Sequence, residues 1–300
     1  MAPALQRPGA LPALALVLNA FVWGTAWWPF RHLYAAGLHP LWATALVFTV
    51  ASLAIVALRP RALRQVATTP ALWLLVAAAG ITNASFNWAV VIGDVVRVVL
   101  LFYLMPVWTV LLARTVLGER LTTPALLRIG LAVAGAAVVL WPEAESAGWL
   151  PLPRSLADWL GVVGGFSFAL NNVMLRREAS RPEEGRALAM FLGGALVAAA
   201  VAVGLSTGGS VAWPPPPTMA WIPIAAALSL VFLVGNLALQ YGAARLPANR
   251  TAVVMLTEVV FASTSALALG GGMLTLRLAV GGGLIVAAAL LAALEAPKPH

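Results

Sequence analysis

Three hundred residues that are 62% hydrophobic and 9% charged, with a mean hydropathy of +0.94, exclude a water-soluble globule, whose charged fraction is about a quarter. The net charge of +8 does not point to nucleic acid, because the basic residues stand singly or in short clusters between apolar runs, with no basic stripe interleaved with aromatics. The absence of cysteine removes disulfides, thiolate metal sites and cysteine nucleophiles together.

Crossing about 30 Å of hydrocarbon takes roughly 20 apolar helical residues, because lipid satisfies no backbone group. Cut at its charged and Pro-rich gaps, the chain is predicted to be all-α and polytopic. Its ten spans cover residues 12–31, 40–58, 71–92, 96–117, 123–141, 156–176, 186–206, 219–242, 249–269 and 275–294. The first span follows Arg7 as a secretory signal would, but its apolar run continues through Trp23, Trp27 and Trp28, so it is read as a retained span. Arg59, Pro60, Arg61 and Arg64 separate spans two and three, and a cluster from Arg176 to Arg186 separates six and seven. The four prolines 214–217 form a stiff connector before span eight. Trp42, Trp73, Trp141, Trp159 and Trp221 fall at span ends as interfacial anchors.

With both termini cytoplasmic, the cytoplasmic side collects 14 of the 18 basic residues, leaving only Arg31, Arg97, Arg154 and Arg277 outside. The positive-inside rule therefore places the N- and C-termini in the cytoplasm, in a plasma (inner) membrane. At an offset of 152 residues the segment 96–130 falls on 248–282, so that Leu104 meets Leu256 and Gly130 meets Gly282. Two five-helix repeats are expected, residues 1–148 and 149–300. Five is odd, so the halves insert in opposite senses, the architecture that places a solute site near the midplane between them.

Within these spans, polar side chains are expensive and face the bundle interior. Asn83 and Asn87 share one face of span three, and Asn236 and Gln240 share one face of span eight at nearly equivalent repeat positions, as if lining one cavity. The alternative is that these amides merely bond across helices. Asn19, Trp23 and Trp27 share a face of span one, and Asn171 and Asn172 lie near the midplane of span six. Tyr103 precedes Pro106, which removes the donor for a carbonyl near position 102 and kinks span four as a gate. Glu258 is the one carboxylate deep in a span, a candidate for holding a proton or an ammonium group, or for a structural hydrogen bond. Glu119, beside Arg114 and Arg120, reads as a structural ion pair.

The ten spans, the inverted repeats and the run from Pro106 to Gly118, Glu119 and Arg120 resemble the drug/metabolite transporter superfamily, specifically its EamA-type exporters. The second copy departs from that pattern, with Glu258 at the place of Pro106 and Gly270 and Gly271 replacing Gly118 and Glu119. The aromatic first span is similar to that of YddG-type exporters of aromatic amino acids and methionine. The resemblance implies outward transport of small metabolites by alternating access, aromatic or hydrophobic amino acids first and drug-like or nucleoside-like solutes second. Substrate contacts are then expected from Trp23, Asn83, Asn87, Tyr103, Asn171, Asn236, Gln240 and Glu258, with Pro106 gating. The partners are a small solute and the lipid bilayer, with no nucleic acid and no cofactor, and a monomer suffices for such a carrier. An intramembrane enzyme is the contrasting class, but the chain has neither G-x-S-x-G nor H-E-x-x-H, and no G-x-x-x-x-G-K-[ST] for ATP.

Overall fold

The structure, a computed structural model, describes residues 10–118, 122–141, 150–243, 245–246 and 248–294. Glu119 and Arg120, expected as a signature and an ion pair, lie outside the described residues. Among the described residues the chain is helical with short connections and no strand. The helices are α1 (Ala10–Thr25), α2 (Trp27–Ala35), α3 (Pro40–Leu58), α4 (Arg61–Thr68), α5 (Pro70–Ile92), α6 (Val95–Phe102), α7 (Met105–Leu117), α8 (Thr123–Val139), α9 (Leu156–Arg177), α10 (Glu183–Thr207), α11 (Ile222–Ala243), α12 (Ala248–Met255), α13 (Thr257–Ala268) and α14 (Leu276–Leu294).

Among the described residues seven stretches are long and apolar enough to cross a bilayer: Ala10–Ala35, Pro40–Leu58, Pro70–Ile92, Val95–Val116, Glu183–Thr207, Ile222–Ala243 and Leu276–Leu294. The other three expected spans differ from these in identifiable ways. α8 has 17 residues, α9 has 22 but carries Asp158, Asn171 and Asn172, and the ninth is divided between α12 and α13. The segment read as a loop after span two holds α4, an amphipathic helix that buries Ala62 and Val66 and exposes Arg61, Leu63 and Arg64.

Helix starts follow local chemistry. Proline opens α3, α5 and α8, where its missing N–H costs nothing. Asp94 caps α6 through Arg97 N, and Ser155 with Asp158 forms a capping box on α9. Three breaks inside expected spans have two causes. Pro29 and Pro106 cannot donate to the carbonyls of Thr25 and Phe102, and the helix interrupts at Ala26 and at Tyr103 and Leu104. At Leu256 there is no proline; Thr257 Oγ1 donates to Val254 O at 2.7 Å, a back-bond that competes with the helical ladder.

The helices close on one another through small residues. Gly80 on α5 meets Gly193 on α10, and Gly135 on α8 meets Gly281 on α14, with backbone where a Cβ would stand. The freed carbonyl of Phe102 lies against Gly165 of α9 in the same way. α5 and α9 run antiparallel, with Gly93 beside Ala157 and Phe86 beside Gly164, whereas α6 and α9 run parallel, with Gly161 beside Val98 and Gly165 beside Phe102. Large apolar side chains such as Leu11, Leu53, Leu237 and Leu276 point outward, which suits a lipid-facing surface.

The five tryptophans expected at interfaces divide into two groups. Trp73, Trp141 and Trp159 are exposed, as anchors should be. Trp221 is buried and donates Nε1 to Pro216 O at 3.2 Å, and Trp42 packs on Trp213 with ring centroids 5.7 Å apart. Trp221 thus finds in the proline connector an acceptor that the lipid core lacks, and Trp42 packs on the indole that immediately precedes it.

Candidate functional site

Two of the three broken spans, four and nine, meet at their breaks. Tyr103 ends α6 and is 3% exposed; its hydroxyl lies 3.5 Å from Glu258 Oε2, in the first turn of α13. Glu258 is half-buried, and the backbone of Glu258 and Ala262 is covered by Gly24 of α1 so closely that no Cβ fits. This pair joins residues 155 apart. Tyr103 supplies an O–H donor to the carboxylate, the compensation that a carboxyl group at this depth requires.

One layer away, Trp23 is half-buried and stacks on Phe232 of α11 with centroids 4.7 Å apart and planes 21° apart. Trp27 donates Nε1 to Ser265 Oγ at 2.9 Å, so its indole is anchored to α13 rather than standing in an open wall. The predicted amide faces do not meet as pairs. Asn83 donates to Ala79 O of its own helix at 2.8 Å, and Asn87 donates to Thr44 Oγ1 of α3 at 3.1 Å. Asn236 is half-buried on α11, and the side chain of Gln240 lies outside the described ones. Asn171 is 2% exposed on α9, while its neighbour Asn172 is exposed. Continuing the antiparallel register of α5 and α9 puts Asn171 level with Ala79, whose carbonyl already accepts from Asn83.

Among the described residues four buried amide oxygens have no protein donor: Oε1 of Gln65, beside α4, and within the spans Oδ1 of Asn19, of Asn87 and of Asn171. Asn19 is 1% exposed and donates its Nδ2 to Gly235 O at 2.8 Å. Asn19, expected on the face of Trp23 and Trp27 but not among the substrate contacts, lies 152 residues from Asn171, the offset of the two expected repeats. Such acceptors suit a solute or water carrying N–H or O–H groups.

An apolar groove of about 210 Å³ lies between α7 and α8, lined by Leu104, Val107, Trp108, Val133 and Ala136 among others. It contains none of the polar residues above, and it flanks the break that Pro106 creates.

Residues 10–141, the stretch from α1 through the end of α8, match the EamA-like transporter family. No curated protein matches the sequence. A crystal structure of a protein at 20% identity shares the fold over 94% of this chain and 95% of that one, with a TM-score of 0.58. Built of membrane-length apolar helices and matched over residues 10–141 by that family, the chain is a multi-pass membrane protein similar to the EamA-like transporters of the drug/metabolite transporter superfamily.

Proposed function

We propose that the chain is a ten-span secondary transporter of two inverted repeats, residues 1–148 and 149–300, which exports a small metabolite through a site between them. The observation that carries this reading is the pairing of the breaks. Spans four and nine interrupt at Leu104 and Leu256, 152 residues apart, although the causes of the two interruptions differ. Further support comes from equivalent packing: α9 lies on α5, α6 and α7 as α1 lies on α11, α12 and α13. Discontinuous helices crossing near the centre of inverted repeats are where carriers of this architecture hold solute.

In this reading Tyr103, Glu258, Asn171, Asn236, Gln240, Asn83 and Asn87 supply polar contacts, Trp23 a flat apolar one, and Pro106 the bending point. Acceptor-rich lining beside an aromatic face favours a zwitterionic solute with a hydrophobic side chain, an aromatic or hydrophobic amino acid. The chain sits in the plasma membrane with both termini cytoplasmic. The test is counterflow in proteoliposomes with labelled phenylalanine, tryptophan and methionine beside a nucleoside and a lipophilic cation. Unlabelled amino acid inside should accelerate uptake of its labelled form. Acceleration confined to the nucleoside or the cation overturns the substrate class, and acceleration by none of them overturns the carrier reading.

A further inference from the structure

At the end of the bundle opposite α4, the polar side chains form a connected set that joins the first half of the chain to the second. Arg31, at the end of span one, donates to Val90 O at 3.2 Å and Gly93 O at 2.6 Å, the free carbonyls that end α5. The same guanidinium reaches Gly271 O, at 3.3 Å, in the loop between α13 and α14, and it lies over the Trp27 ring at 4.9 Å. Asp94 uses both oxygens. Oδ1 accepts from Arg97 N and Oδ2 from Met273 N, each at 2.9 Å, while Gly272 presses so close to the carboxylate that no Cβ fits there. Val95 N donates to Gly271 O at 3.1 Å.

Arg97 completes the set from α6. Its Nε and Nη2 hold the two oxygens of Asp158 at 2.7 and 3.0 Å, a bidentate pair, and its Nη1 donates to Val139 O, the end of α8, at 2.9 Å. The Asp158 side chain is 4% exposed and also accepts from Arg154 N at 3.2 Å. Arg31 and Arg97, two of the four arginines on this side of the membrane, therefore bond into helix ends, and both aspartates join segments from different halves. At the α4 end a neutral-to-acid bond joins the halves, Gln65 Nε2 to Glu184 Oε1 at 3.0 Å.

We propose that Arg31, Asp94, Arg97 and Asp158 form a clasp that closes the non-cytoplasmic end of the bundle and must open in each transport cycle. The inference rests on the carrier reading for its role in the cycle, but the closure itself does not. The bonds of Arg31 to Gly271, Met273 N to Asp94 and Arg97 to Asp158 cross between segments that alternating access would separate, and these contacts are directional and charge-assisted, so they make or break as a unit. α6 is held by this clasp at one end and broken at Tyr103 at the other.

The test uses the absence of native cysteine. Met255→Cys, the repeat counterpart of Tyr103, is labelled from the outer side of sealed right-side-out vesicles with a membrane-impermeant maleimide, in the parent and in Arg31→Gln, Asp94→Asn and Asp158→Asn backgrounds. Asp94→Asn keeps one acceptor for the α6 cap and loses the second. Labelling should be slow in the parent and about tenfold faster in each variant, as the population with this end open rises. Equal rates in all four overturn the clasp. A second variant, Asp94→Cys with Met273→Cys, is oxidised and then reduced. Counterflow should stop on oxidation and return on reduction; undiminished counterflow with the bridge formed overturns the requirement for opening. The labelling needs no solute, so a parent without counterflow would sink the carrier reading and leave the clasp to be judged on labelling alone.

Discussion

The fourth span reads as one apolar run, yet its two halves have different surroundings. In α6 every residue except Arg97 is buried. In α7 the buried residues are Pro106, Val107 and Ala113, residues 108–110 are half-covered, and Leu111, Arg114 and Thr115 are exposed. α6 is enclosed by α5, α8, α9, α13 and α14, whereas α7 meets α8, α9 and the edge of α14. Both halves are rich in Val and Leu, so hydropathy does not separate them; neighbours do. Lipid accepts an apolar side chain as readily as another helix does, and only shape, hydrogen bonds and small residues decide which one it meets. A break between an enclosed half and a freer one is where a change of tilt costs least, because no i to i−4 bond spans it.

This contrast can be broken most severely at Gly165. The carbonyl of Phe102 occupies the space a Cβ would take, and both sides of the contact are backbone. Gly165→Ala should lower stability by about 1–3 kcal/mol and depress the Tm in detergent, since overpacking here cannot be relieved by a side-chain rotation. Gly130→Ala on α8, with nothing within 4 Å of its Cβ, should leave the Tm level or slightly raised. Equal Tm values for the two variants would mean that α6 and α9 do not share this seam.

Pro106→Ala restores a donor four residues after Phe102 and should erase the difference between the halves by letting them join. The expected result is a gain in stability of up to about 1 kcal/mol with counterflow slowed about tenfold, roughly 1.4 kcal/mol of barrier. A gain in stability at unchanged rate would assign the break to packing alone.

The smallest effects sharpen the junction itself. Glu258→Gln should weaken the affinity for a zwitterionic amino acid about tenfold, the size of one charged hydrogen bond. Tyr103→Phe should weaken it only about threefold, because the hydroxyl is a neutral donor and its 3.5 Å contact is long. Binding isotherms on purified protein read both. Unchanged affinity in both variants makes the pair structural, a tie between α6 and α13 and nothing more.

How far the site was legible differs from residue to residue. The proline at 106 and the orphaned carbonyl near 102 could be read from chain chemistry, because the missing N–H and the i−4 partner are both local. The matching break at Leu256 could be placed by the repeat but not explained by it, since its cause is a threonine hydroxyl whose choice between solvent, a partner and its own backbone depends on packing. Asn83 and Asn87 were correctly put on one buried face of α5. Their partners were not foreseeable, because a helical face says where an amide points and not whether Ala79, Thr44 or a solute receives it.

Composition, periodicity and the spacing of charges determined that this chain is all-helical and belongs in a bilayer, because each depends on residues near one another in sequence. The tertiary structure alone decided that Arg97 faces Asp158 across 61 residues, that Tyr103 faces Glu258 across 155, and that Trp42 and Trp221 serve the proline connector rather than the interface. Hydrocarbon demands only that polar groups be satisfied somewhere within the protein. Which partner satisfies each one follows from how closely the helices approach, and that is set by glycines such as Gly165 and Gly272 whose opposite surface no local pattern reveals.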